Sequence, residues 1–187
     1  MSTLETNLIQ PSTGTTLTLG ASGDTVTLGS GATQSGFGGT NTPNFYAETN
    51  ASQSLTDSVY LTMLYGTEKY DTASAYDTST GKFTVPSGQA GKYFFCGAVA
   101  FDINSTYTSS GNLSVARLAH YNSSDVLQNA CQARQNFNYA NRPSLVVSAV
   151  FDMSVGDYVI LQGFITATSS TYNSTQIGYF KGFKLVE

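Results

Sequence analysis

From residue 44 onward, apolar and polar side chains alternate in short runs, and no segment shows the 3.6-residue period of an amphipathic helix. Alternation with a period of two is typical of β-strands that bury one face. Glycine, serine and asparagine clusters separate the runs and supply turns. The pattern predicts strands at 45–47, 59–64, 75–76, 82–85, 91–101, 112–120, 126–134, 144–151, 158–166 and 176–186. Short strands joined by turns predict an all-β sandwich or jelly roll.

Large aromatic side chains recur at alternating positions inside these runs. Phe83, Tyr93 and Phe95 are three of them, and a ring of this size buries about 150 Å² or more. We therefore expect them to line the inner face of the sandwich. Gly91 and Gly182 suit positions where a strand bends or another backbone comes close.

The first forty residues differ in kind from the rest. The sequence TLTLG at 16–20 recurs nine positions later as TVTLG at 25–29, with the turn residues ASGD between the copies. Each copy alternates apolar and β-branched polar residues, as a short strand does. The apolar side of this repeat consists of Leu17, Leu19, Val26 and Leu28.

The repeat is too small to fold alone. Ordering one residue costs about 1–2 kcal/mol, whereas burying one leucine contributes about 2 kcal/mol. Stacking or intertwining with identical copies would bury the same apolar side, and a flexible tether is the alternative interpretation. Residues 31–43 have the composition of a linker. The predicted organisation is an attachment or stem segment at 1–43 followed by a folded head at 44–187.

Charge excludes some partners. Charged residues make up 11% of the chain and the net charge is −4, so no basic stripe is present to neutralise phosphates or anionic lipid. We expect no nucleic-acid partner. No apolar stretch approaches the length of a transmembrane helix, and the first residues lack the features of an export signal. We therefore expect no membrane insertion.

The residues that carry chemistry are few. His120, the single histidine, ends an alternating run, so we interpret it as a strand-end side chain rather than a catalytic base. Cys96 and Cys131 lack the spacing of a zinc site; we expect buried free thiols, with one disulfide as the alternative. The carboxylates are dispersed, and Gly156–Asp157 is interpreted as a plain turn. We expect no enzyme, metal or cofactor.

Three segments have the composition of binding loops, because tyrosine, asparagine and arginine combine rigid contact area with adaptable hydrogen bonds. They are 106–110, 136–142 and 170–173. The alternative is that their aromatic rings cap the sandwich or pack across a symmetry axis. The candidate ligand-binding residues are Tyr107, Phe137, Tyr139, Arg142 and Tyr172.

The head also resembles a known family. The spacing from Asp71 to Tyr76 to Phe83, followed by the GKYFF run at 91–95, resembles the signature of C1q globular heads. The motifs GDYV at 156–159 and FKGFKL at 180–185 resemble two later landmarks of that family, although Gly97 stands where the family has an aromatic. The resemblance implies a C1q/TNF-like jelly roll that assembles as a homotrimer.

The N-terminal segment has a resemblance of its own. Residues 8–37, which begin LIQPSTGTTLTLGASGD, are similar to the openings of small virion proteins of tailed, notably marine, phages. The resemblance implies a virion protein that is assembled in the host cytoplasm. We expect a trimeric fibre, spike or capsid decoration whose N-terminal segment contacts other virion proteins and whose head is displayed outward for host attachment through a surface glycan or protein. A cellular C1q-like module that binds protein or glycan is the alternative.

Overall fold

The computed structural model describes residues 13–14, 21–25, 27, 30, 41–102, 112–137, 143–166 and 172–185. The chain divides into two compact units, Met1–Gly38 and Gly39–Glu187. The four apolar residues of the predicted stem lie outside the described residues, so the stem and its boundary at residue 43 stay predictions. Those four are Leu17, Leu19, Val26 and Leu28.

The second unit is built from β-strands, as the alternating pattern predicts, and the described residues contain no helix. The strands are β1 (Asn44–Glu48), β2 (Ser54–Leu55), β3 (Leu61–Thr62), β4 (Thr67–Asp71), β5 (Tyr76–Asp77), β6 (Lys82–Thr84), β7 (Gly91–Asp102), β8 (Asn112–Tyr121), β9 (Leu127–Phe137), β10 (Ser144–Met153), β11 (Tyr158–Thr166) and β12 (Tyr172–Lys184). No helix in the described part is long and apolar enough to span a bilayer.

The strands form two antiparallel sheets. Sheet I has the order β10-β7-β12-β1-β4, with β2 added to β12. Sheet II has the order β5-β6-β11-β8-β9, with β3 added to β11. Each sheet therefore has one side on the shared core and one outward side.

The two ends of the sandwich differ. Short turns at 122–126 and 154–157 join β8 to β9 and β10 to β11, and this is the turn end. At the opposite end, which we call the loop end, Asp102 pairs with Asn173, and Asn112 with Phe137. The strands that flank residues 103–111, 138–143 and 167–171 therefore finish at the loop end. Asn44 pairs with Phe183, so the chain enters the sandwich at the turn end.

The core is an aromatic layer between the sheets. Phe45 is fully buried, and its ring centroid lies 4.9 Å from each of the rings of Tyr76, Phe83 and Phe180. Burial of such rings is the largest apolar contribution that a sandwich of this size makes to its stability. The prediction that Phe83, Tyr93 and Phe95 are inner-face residues is confirmed, because all three are fully buried.

Some details differ from the sequence prediction. The segment predicted as one strand at 59–64 forms only the short β3. Strand β4 was not predicted, because its sequence TEKYD is charged and mostly exposed, and it lies at the edge of sheet I. At Gly97, a Cβ atom would clash with both Cδ atoms of Leu161 on the opposite sheet. Leu161 therefore occupies the space that an aromatic residue at 97 would need.

Candidate assembly and binding surfaces

The predicted ligand-binding residues belong to the connections at the loop end. Tyr107, Tyr139 and Arg142 lie outside the described residues, as do the side chains of Phe137 and Tyr172. Phe137 ends β9 and Tyr172 begins β12. The strands that flank the three connections finish at one end of the sandwich. Ligand binding by these residues stays a prediction.

The outward side of sheet I carries a continuous set of large apolar side chains. Val146, Val150 and Tyr70 expose 55%, 53% and 50% of their surface. The register pairs Val150 with Phe94 and Tyr70 with Tyr46, whose rings are half-buried, and it pairs Val146 with the buried Ala98. We call this set the aromatic face: Tyr46, Tyr70, Phe94, Val146, Val150, Tyr179 and Phe183. A contiguous apolar patch on an outer surface marks a site of interaction.

The rings of this face contact one another across the strands. The ring of Tyr46 on β1 lies 6.1 Å from that of Tyr70 on β4 and 6.3 Å from that of Tyr179 on β12. Phe94 and Phe183 form a second pair at 5.3 Å. Cross-strand aromatic pairs stabilise a sheet, and here they also hold the surface in one shape.

The charges on the aromatic face are compensated. The Lys181 ammonium lies 4.9 Å from the ring of Tyr179, and Lys69 forms an exposed ion pair with Glu48 at 3.0 Å. Tyr46 donates a hydrogen bond to Glu48. That bond raises the pKa of Tyr46 and lowers the pKa of Glu48. The face can therefore meet an apolar surface without leaving these groups unpaired.

His120 lies near the end of β8, as predicted, but Asp157 is more than the plain turn residue that the sequence indicated. Both side chains are buried, and His120 Nε2 lies 3.0 Å from Asp157 Oδ2. The same oxygen accepts a hydrogen bond from the Ser154 amide at 3.0 Å. The pair ties β8 to the turn between β10 and β11. It packs against Phe151, which gives it a structural role.

The cysteines are free, as predicted, but half-buried rather than buried. Cys96 Sγ lies 3.8 Å from the hydroxyl of Tyr179 on the outward side of sheet I, and Cys131 donates to the carbonyl oxygen of Ser148 at 3.5 Å. Within the described part of the chain, no three histidine, cysteine or acidic side chains come together as metal ligands do.

The outward side of sheet II is polar at its centre. Register places Gln162 of β11 beside Arg117 of β8, and Arg117 beside Gln132 of β9. Arg134 is the next outward residue of β9. We call Gln162, Arg117, Gln132 and Arg134 the arginine row. The ring of Tyr60, which precedes β3, lies 3.7 Å from the Arg117 guanidinium carbon.

Neither the aromatic face nor the arginine row was predicted from the sequence, although the aromatic face has a recognisable sequence pattern. In β7 the run YFFCGAVAF is apolar at every position. An antiparallel strand with one side in solvent alternates apolar and polar residues, so this run indicated an apolar outward side for sheet I. The arginine row had no such signal, because Tyr60, Arg117 and Gln132 are far apart in sequence and meet only through strand pairing.

No protein-family model matches the chain, and no curated protein matches it in sequence. Solved structures do. The globular domain of zebrafish complement 1qA protein is 22% identical, with a TM-score of 0.51 over 76% of this chain and 97% of that one. Murine APRIL at pH 5.0 is 10% identical, with a TM-score of 0.52 over 76% of this chain and 98% of that one. The chain thus has the jelly-roll fold shared by C1q and TNF-family globular domains.

Proposed function

We propose that the protein is a non-enzymatic, homotrimeric virion component, a fibre, spike or capsid decoration, anchored through residues 1–43 and displaying its head outward. The observation that carries the proposal is the aromatic face. Val146 and Val150 are more than half exposed in the single chain, beside rings that already form ordered pairs. Exposed apolar surface of this extent favours association with a copy of itself.

A threefold arrangement suits this face. In a closed ring, each copy presents two different parts of its surface to its two neighbours. The aromatic face spans five strands of sheet I, from β10 at one edge to β4 at the other, so one protomer can contact both neighbours with it. The resemblance to C1q heads implies the same stoichiometry.

The polarity of the sandwich supports outward display. The chain enters at the turn end, where Asn44 pairs with Phe183. The strands that flank the predicted ligand-binding residues finish at the loop end, about ten residues of strand away and therefore about 30 Å distant. An anchor that precedes residue 44 would therefore join the head at the turn end.

Truncation tests the anchor. A chain without residues 1–40 should form trimers of the head and fail to enter particles when it replaces the full-length protein during assembly. The Tyr107→Ala variant of the full chain is the control and should be incorporated normally. Incorporation of the truncated chain at the normal level would contradict the anchor assignment.

A further inference from the structure

The centre of sheet II is basic in an acidic protein. The chain has 12 acidic and 8 basic residues, yet β8, β9 and β11, which are adjacent and fully described in backbone, contain no aspartate or glutamate. Two arginines of the arginine row, Arg117 and Arg134, face outward from these strands. They are diagonal neighbours on adjacent strands, so their Cα atoms are about 7–8 Å apart. No carboxylate of these three strands lies between the two arginines.

Each arginine is held by a glutamine. Arg117 Nε donates to Gln162 Oε1 at 2.8 Å, and Arg134 Nε donates to Gln132 Oε1 at 2.8 Å. In both cases Nη2 donates to the same oxygen. The Nη1 groups of both residues have no partner among the described residues. Each guanidinium group is therefore oriented by hydrogen bonds along its Nε–Nη2 edge, and its Nη1 donors stay available. Such an arrangement suits the binding of oxyanions.

Gln162 adds a neutral donor. Its side chain is only 7% exposed, its Oε1 is used by Arg117, and its Nε2 finds no acceptor in the described part of the chain. A buried amide without an acceptor is unfavourable, so a bound hydroxyl oxygen at this position would be favoured.

Aromatic surface lies beside these donors. The rings of Tyr60 and Phe164 are 4.6 Å apart, and the hydroxyl of Tyr60 accepts a hydrogen bond from Gln132 Nε2 at 3.2 Å. Tyr60 thus contacts β9 and β11, in addition to Arg117 on β8. An aromatic surface packs against the apolar C–H side of a sugar ring, while the polar groups around it select the hydroxyl and carboxylate substituents.

We propose that the arginine row, with Tyr60 and Phe164, binds an acidic saccharide chain. Sugar carboxylates bind Arg117 and Arg134, a hydroxyl oxygen accepts from Gln162, and the ring face packs on Phe164. The row faces away from the aromatic face, on the opposite side of the sandwich, so the site stays accessible whatever sheet I contacts. The proposal does not depend on trimer formation or on a virion role.

Calorimetric titration of the full chain with hexagalacturonate tests the site, with the fully methyl-esterified hexamer as the neutral control. Arg134→Gln and Gln162→Glu should each weaken binding of the acid at least tenfold. Arg134 is exposed, and the glutamate keeps the shape of Gln162 while it neutralises Arg117, so both variants should fold. Lys184→Gln, which removes a positive charge elsewhere, should change the affinity less than twofold.

Several results would overturn the proposal. They are an absence of binding by the unmodified protein, equal binding of the methyl ester, or unchanged affinity in the Arg134→Gln and Gln162→Glu variants. A hexaglutamate peptide is the last comparison. Weaker binding of the peptide supports saccharide recognition, and equal binding reduces the site to a general anion site and contradicts it. Val146→Asp should bind the acid hexamer with unchanged affinity per chain.

Discussion

The two outward sides of the sandwich are built from the same kind of strand but present different chemistry. Sheet I exposes valines and paired rings whose few charges are compensated, whereas sheet II presents arginines held by glutamines beneath one tyrosine. The inner sides do not differ in this way, because both contribute to one aromatic layer around Phe45. Burial therefore determines the inner residues, whereas the outer residues differ from sheet to sheet. We propose a copy of the protein as the partner of the apolar side and an acidic saccharide as the partner of the polar, cationic side.

The largest effect should come from the layer that the two sides share. Phe45→Ala removes a fully buried ring that contacts Tyr76, Phe83 and Phe180. We expect the free energy of unfolding to fall by about 3–5 kcal/mol, because a cavity remains. Urea denaturation of the Val146→Asp chain, with and without Phe45→Ala, measures this loss without a contribution from assembly. A loss below 1 kcal/mol would show that Phe45 is not central to the core.

Removal of Tyr60 should affect the outward side of sheet II and leave assembly through the aromatic face unchanged. Tyr60→Ala deletes a cation–π contact with Arg117, a ring contact with Phe164 and a hydrogen bond from Gln132. We expect a loss of about 2 kcal/mol in stability and no change in the mass of the assembly. Tyr70→Ala on the aromatic face is the matched control. It should weaken assembly and leave the stability of the Val146→Asp monomer within about 0.5 kcal/mol.

Alkaline pH should destabilise the fold, because it ionises tyrosine hydroxyls both in the core and on the outward side of sheet II. Burial raises the pKa of Tyr76 to about 12. Burial and the hydrogen bond to Asp125 raise the pKa of Tyr158, on the outward side of sheet II, to about 12. Unfolded tyrosines ionise near pH 10, so their contribution is complete below pH 10 and is lost between pH 10 and 12. Urea midpoints at pH 8, 10 and 11.5 should fall in that order, and Tyr158→Phe should reduce the slope. A midpoint that does not change with pH would contradict the burial of these hydroxyls.

The smallest effect should come from the exposed ion pair at the edge of the aromatic face. Lys69 and Glu48 are 3.0 Å apart, but their side chains are 45% and 36% exposed. Solvent and salt weaken such a pair, so Lys69→Gln should leave the stability unchanged within experimental error. Thermal denaturation at low and high salt checks this, and a larger loss would show that the pair is shielded from solvent.

Sequence alone predicted much of the head, because alternation reports burial directly. The long strands β7 to β11 were predicted within about three residues of their ends, and Phe83, Tyr93 and Phe95 were assigned to the inner face. Strand β4 was not predicted, because an exposed edge strand has no apolar alternation. The role of Asp157 was also missed, since its partner His120 is 37 positions away.

The candidate surfaces were harder to predict for the same reason. Neither the aromatic face nor the arginine row is a motif, since each is assembled from residues on three to five strands whose register only the folded chain defines. The predicted ligand-binding residues, in contrast, came from local loop composition. Composition locates an exposed segment but does not show what its side chains contact.

The mass of the full-length protein in solution tests the central claim most directly. By light scattering we expect about three times 19.8 kDa for the unmodified chain. Val146→Asp should give the mass of one chain, because it places a carboxylate on the aromatic face. Val126→Asp, which alters an equally exposed valine in a turn, should stay trimeric. A monomeric unmodified chain, or a trimer that tolerates Val146→Asp, would contradict the assignment of the aromatic face to assembly.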